Sequence, residues 1–133
     1  MHRILIVEDE PLIAADISRA LKKVGYDIAG SVGNADEAID ILSSQSVDVV
    51  ILDITIDGEL DGIELGEKIN QDHFIPFLFL TSYYDDQTLQ RAGKTNPAGY
   101  IVKPFDDADL IANVKLALFK EKKQVLITDK FFV

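Results

Sequence analysis

Apolar residues along this chain follow two periods, one of strands buried on both faces and one of amphipathic helices. Near-continuous apolar runs at Arg3 to Val7, Val47 to Leu52, Ile75 to Leu80 and Gly99 to Val102 leave too few polar alternates for a sheet wetted on one face. They predict strands of a parallel sheet, with a shorter, weaker fifth strand at Asp27 to Ser31. Ile13, Ile17, Ala20, Leu21 and Val24 recur at helical spacing between Pro11, suited to a first turn, and Gly25, suited to a C-cap. Asn34 followed by Glu37 predicts a capping box opening a helix with Ala35, Ala38, Ile39 and Leu42 inward. A third helix spans about Ile63 to Gln71, with Ile63 and Ile69 toward the core and Gly66 weakening it. A fourth, marginal helix covers Gln87 to Ala92 and is broken by Asn96-Pro97. Asp106 or Asp107 caps the last, in which Leu110, Val114, Ala117 and Leu118 share a face. Five strands alternating with five helices predict an α/β, doubly wound parallel sheet with right-handed crossovers.

A length of 133 residues suits one domain with one substantial core, and 47% hydrophobic with 27% charged residues is an ordinary globular composition. Charge changes the picture more. Thirteen basic against 23 acidic side chains leave a net charge of -10, which disfavours direct contact with nucleic acid phosphates or anionic membrane surface. Any DNA-binding role is expected outside this chain. The chain holds no cysteine, hence no disulfide framework or thiolate metal site, and Glu8 interrupts the opening apolar run too early for a signal peptide. No apolar run approaches the roughly 20 residues of a membrane span. The expected location is the cytoplasm.

Four of the five predicted strands end on reactive groups: Glu8 and Asp9, Asp53, Thr81 with Ser82, and Lys103. In a parallel sheet those ends lie on one edge, where ligands bind in open α/β folds. Taken singly, each has a plain structural alternative. Glu8-Asp9-Glu10 can be an acidic first helical turn, Asp53 a cap or turn residue, Thr81 a loop-capping hydroxyl and Lys103 a solvated charge. Together they describe a site. Three clustered carboxylates repel unless they share a cation, and an all-oxygen set favours a hard ion, Mg²⁺ rather than Ca²⁺ because few ligands leave room for water and a phosphoryl oxygen. Asp53 can then act as nucleophile toward phosphorus, with the metal, Lys103 and the Thr81 hydroxyl offsetting charge on the phosphoryl oxygens.

The segments Ile-Leu-Ile-Val-Glu-Asp-Glu (4 to 10), Val-Val-Ile-Leu-Asp (49 to 53), Asp-Gly-Ile-Glu-Leu (61 to 65), Phe-Leu-Thr-Ser (79 to 82) and Gly-Tyr-Ile-Val-Lys-Pro-Phe (99 to 105) together resemble a response-regulator receiver domain of two-component signalling. The resemblance covers about residues 2 to 120. It implies a flavodoxin-like fold with strand order 2-1-3-4-5, and phosphorylation of Asp53 from the phosphohistidine of a sensor histidine kinase or phosphotransfer protein. It implies Mg²⁺ held by Glu8, Asp9, Asp53 and the backbone carbonyl of Thr55, phosphoryl binding by Thr81 and Lys103, and a cis Lys103-Pro104 bond. Tyr100 is the aromatic that turns inward when Thr81 moves; its plain alternative is a core tyrosine. The surface of the fourth helix, last strand and last helix, where Leu89, Tyr100 and Phe105 could lie, is expected to switch and to serve a homodimer or an output domain. The protein is then a phosphoacceptor rather than an enzyme, assisting only its own phosphorylation and dephosphorylation.

The chain departs from that family in places. Ile54-Thr55-Ile56-Asp57-Gly58-Glu59-Leu60 stands where a Met-Pro pair is common, and the loop before Asp61-Gly62 is one residue longer. Phosphoryl lifetime in the family depends on the positions of Thr55 and Tyr83, and a bulky Tyr83 is expected to hinder water and lengthen it. Residues 121–133 carry two apolar bursts, Val125-Leu126-Ile127 and Phe131-Phe132-Val133, after a charged helix end. They are expected to be a linker or the start of a truncated output domain, faintly similar to the opening of LytTR-type DNA-binding domains, which would control transcription; a tail packed on its own domain or on a dimer mate is the alternative. Two other function classes stand beside the receiver. A haloacid-dehalogenase-type phosphatase needs an Asp two residues after its nucleophile, where this chain has Thr55, and a phosphate-independent interaction module would not need the acidic pair, Thr81 or Lys103.

Overall fold

The computed structural model describes residues 1–56, 58, 60–82 and 85–132, with side chains up to residue 120. Strands β1 (Arg3–Val7), β2 (Asp27–Val32), β3 (Val49–Asp53), β4 (Phe77–Thr81) and β5 (Gly99–Val102) alternate with helices α1 (Pro11–Lys23), α2 (Ala35–Ser44), α3 (Gly62–Asp72), α4 (Asp86–Lys94) and α5 (Asp107–Phe132). The strands form one parallel sheet in the order β2-β1-β3-β4-β5. This is the doubly wound architecture expected from the sequence.

The two-sided burial has a direct origin in strand alternation. Leu5, Val7, Val50, Leu52, Phe77 and Phe79 point to one face and meet Ala35, Ala38 and Leu42 of α2, Ile63, Leu65 and Ile69 of α3, and Ala92 of α4. Ile4, Ile6, Val49, Ile51, Leu78, Leu80 and Ile101 point to the other and meet Ala14, Ile17, Ala20 and Leu21 of α1 and Leu110, Val114 and Ala117 of α5. β3 and β4 are buried along their whole length, and the strand order puts the end of β3 at the middle of the sheet.

Local details differ from expectation for identifiable reasons. Val24 is half-exposed because it already lies at the C-cap of α1, before Gly25 turns the chain at φ +95°. Asn34 caps α2 through the Glu37 amide, whereas a reciprocal capping box forms at Asp61 and Glu64 of α3. α4 extends to Asp86–Lys94 because Asp85 caps it through the Thr88 amide. α5 runs on to Phe132, past the helix end expected near Lys120 to Lys123. Residues 119 to 132 contain no Gly or Pro to stop it, and Lys, Glu, Gln and Leu favour continuation. No described helix is long and apolar enough to cross a membrane.

Candidate phosphoacceptor site

The carboxyl edge of the sheet gathers the polar strand ends. Asp53 is the last residue of β3, paired in register with Leu80, and Thr81 ends β4 opposite Val102. Two backbone bonds prolong the ladders past the strands. Glu8 donates its N–H to the Val32 carbonyl at 2.9 Å, and Lys103 donates to the Thr81 carbonyl at 2.9 Å. The main chain therefore delivers Glu8, Asp53, Thr81 and Lys103 to one edge, although they are as much as 95 residues apart.

Lys103 occupies the centre. Its Nζ donates to Asp53 Oδ2 at 2.5 Å and to Glu8 Oε2 at 3.0 Å. Both carboxylates are buried, and Glu8, Asp9 and Asp53 can each present an oxygen within 4.8 Å of the other two. Burial pushes the Glu8 carboxyl up to about 7, helped by its hydrogen bond and charge repulsion with Asp53 and opposed by Lys103. Burial alone would lower the Lys103 ammonium, but its bonds to Asp53 and Glu8 outweigh that and hold it above its ordinary value. Two or three acids against one ammonium leave a negative pocket, and the donor set is entirely carboxylate oxygen. Such a set fits a small hard cation sharing the pocket with Lys103.

The turn after Asp53 is built around its carboxylate. The Thr55 N–H donates to Asp53 Oδ1 at 2.9 Å, and the Gly62 N–H donates to the Ile54 carbonyl at 2.9 Å. A Cβ at Gly62 would overlap the Asp53 carbonyl oxygen, so only glycine lets α3 start this close to Asp53. Tyr100 is 37% exposed on β5, its ring 6.1 Å from that of Phe79 on the adjacent strand. The Lys103-Pro104 peptide is cis. Tyr83 lies outside the described residues, as do Asp57 and Glu59 in the lengthened loop. Sequence patterns alone did not pair Asp61 with Arg91, joined at 3.2 Å. The Asp-x-x-Glu spacing at 61 to 64 was a readable cap signal, but nothing in the chain pairs Arg91 with residue 61.

The sequence profile of the response regulator receiver domain matches residues 4–115. The transcriptional regulatory protein PdtaR of Mycobacterium tuberculosis is 34% identical over 117 residues, which are 88% of this chain and 57% of that protein. The chain thus spans little more than half the length of this relative. Among solved structures, the signal receiver domain of a modulated diguanylate cyclase from Desulfovibrio desulfuricans G20 is 35% identical with a TM-score of 0.87, covering 92% of this chain and 97% of that one. NtrX from Brucella abortus in complex with ADP is 27% identical with a TM-score of 0.90, covering 100% of this chain and 31% of that one. With its profile match over most of its length and this strand order, the chain belongs to the receiver domains of two-component response regulators.

Proposed function

We propose that this receiver accepts a phosphoryl group on Asp53 from the phosphohistidine of a sensor kinase or phosphotransfer protein. The observation that supports this most is the pair of hydrogen bonds from Lys103 Nζ to Asp53 and Glu8, which places one cation beside the acceptor at the carboxyl edge of the sheet. An Asp53 oxygen attacks phosphorus, the phosphorus–nitrogen bond to the donor imidazole breaks, and the product is an acyl phosphate on Asp53. Lys103 stabilises the charge on the phosphoryl oxygens, and the Thr81 hydroxyl donates to one of them. Receiver domains bind Mg²⁺ at an acidic pocket of this kind; here Glu8, Asp9, Asp53 and the Thr55 carbonyl would hold it, and it would supply Lewis-acid stabilisation of the transferred group.

The charge added, about -1.5 to -2, biases a two-state element. α4, β5 and α5 form the responding face, with Thr81 and Tyr100 moving together. A cleft of about 390 Å³ beside β5, lined by residues 100–105 with Asp109 and Asn113, lies on it. That face serves a homodimer or an output domain, residues 121–133 leading toward the latter and toward control of transcription in the cytoplasm. Tyr83 lengthens the phosphoryl lifetime by hindering water, so that Tyr83→Ala hydrolyses faster than wild type. A dehalogenase-type phosphatase is disfavoured because position 55 offers threonine, not a carboxyl acid/base.

Intact-mass spectrometry after incubation with acetyl phosphate and Mg²⁺ tests the reading. One phosphoryl adduct is expected, absent from Asp53→Asn and from a chelated control. An adduct that persists in Asp53→Asn overturns the assignment of the acceptor. No adduct from either acetyl phosphate or a phosphorylated kinase domain favours the phosphate-independent module.

A further inference from the structure

α4 is the helix least held by apolar burial. Of its nine residues only Ala92 is buried, and the remainder of Asp86–Lys94 is exposed or half-buried. Two side-chain ties to α3 secure it. Near its C-terminus, Asn70 Nδ2 of α3 donates to the Thr95 carbonyl at 2.6 Å. Near its middle, Arg91 Nη2 meets Asp61 Oδ2 at 3.2 Å. Asp61 and Asn70 lie nine residues apart, about 13 Å along α3, so the two ties fix a direction as well as a position.

The Asp61 tie differs from the other because of what Asp61 is joined to. Its other oxygen caps α3 by accepting from the Glu64 amide, and its own amide donates to the Glu64 carboxylate at 3.0 Å, so the side chain is already held before Arg91 reaches it. The next residue, Gly62, is bonded to the Ile54 carbonyl and lies against the Asp53 carbonyl. A guanidinium on α4 is thereby joined through the α3 cap to the turn that carries the phosphoacceptor.

We infer that Arg91 is a positioning residue whose ion pair with Asp61 fixes the resting place of α4 relative to the Asp53 turn. The pair is half-exposed, with side chains 52% and 35% accessible, so it is a weak tie on a weakly packed helix and is loosened by salt. It biases a movable element without locking it. Its bearing on signalling rests on the phosphorylation reading above, but the resting position is measurable without any phosphoryl group.

Amide hydrogen exchange on the full unphosphorylated chain, at about 0.01 M salt, tests this. In Arg91→Ala, amides of Leu89 to Lys94 are expected to exchange about 1.4 to 5 times faster, the range of an exposed pair, while α1 and α5 are unchanged. Arg91→Lys restores part of the protection. In about 1 M salt the difference in α4 exchange between wild type and Arg91→Ala shrinks toward zero. Arg19→Ala, which breaks the more exposed pairs of Arg19 with Asp16 and with Asp107 of α5, leaves α4 protection as in wild type. Unchanged α4 exchange in Arg91→Ala, equal acceleration in every helix, or a difference between the two proteins that does not shrink in salt each overturns the inference. With acetyl phosphate and Mg²⁺ added, the change in α4 exchange on phosphorylation is smaller in Arg91→Ala than in wild type; a failure to form the adduct affects the acceptor assignment and leaves the resting comparison intact.

Discussion

Glu8 shows how one buried side chain links the site to stability. Its carboxyl is raised from 4.5 to about 7, so the folded chain holds this proton more tightly than the unfolded one. The stabilisation this gives is fully present below about pH 4.5 and is lost as pH rises through about 7, the direction opposite to that of an ordinary paired carboxylate. Urea unfolding in a chelator is expected to show wild type losing on the order of 1–3 kcal/mol relative to Glu8→Gln between pH 4.5 and 7.5. Parallel pH profiles for the two proteins would show that Glu8 keeps its proton no more tightly when folded. The raised Lys103 value acts only above its ordinary 10.5 and does not disturb that window.

Among the elements, α3 is shaped by its two glycines for different reasons. Gly66, a weak point for helix propensity, lies where a Cβ would come 3.1 Å from the Phe77 ring, so its absence lets the helix close onto β4. Gly62 faces main chain instead, and backbone cannot step aside as a ring can. Gly62→Ala is expected to cost about 3 kcal/mol, and Gly66→Ala under about 1.5 kcal/mol because better propensity offsets the crowding. Chemical denaturation midpoints at constant m-value check the pair. Equal losses would mean that the Asp53 carbonyl yields as easily as the Phe77 ring.

For the whole molecule the governing quantity is a net charge of -10 concentrated by the acidic edge of the sheet. Self-repulsion of this kind weakens the compact state and is screened by salt. Raising NaCl from about 0.01 to 0.15 M is expected to raise the melting temperature by about 2–5 °C, measured by circular dichroism. A melting temperature that falls with salt would show that attractive pairs such as Arg19 with Asp107 outweigh the repulsion. Approach of a basic partner surface gains from the same field.

The class of fold was legible because strands buried on both faces must be apolar through their interiors, and β1, β3 and β4 are apolar but for Arg3, Asp53 and Thr81 at their ends. The acidic edge was legible too, since parallel strands bring their polar ends together whatever their spacing in the chain. Ion pairs across the fold were not: Arg91 with Asp61 and Arg19 with Asp107 join residues 30 and 88 positions apart, and no local pattern marks such partners. The end of α5 was misjudged because the apolar bursts after Lys120 fit a strand or a helix equally, and short apolar runs carry no period of their own. Sequence determined which residues had to be inside and which chemistry lay at the edge, through hydrophobic period and strand polarity. Only the tertiary structure decided that one lysine bridges Glu8 and Asp53, because that depends on β5 ending level with β1 and β3, neither of which it pairs with.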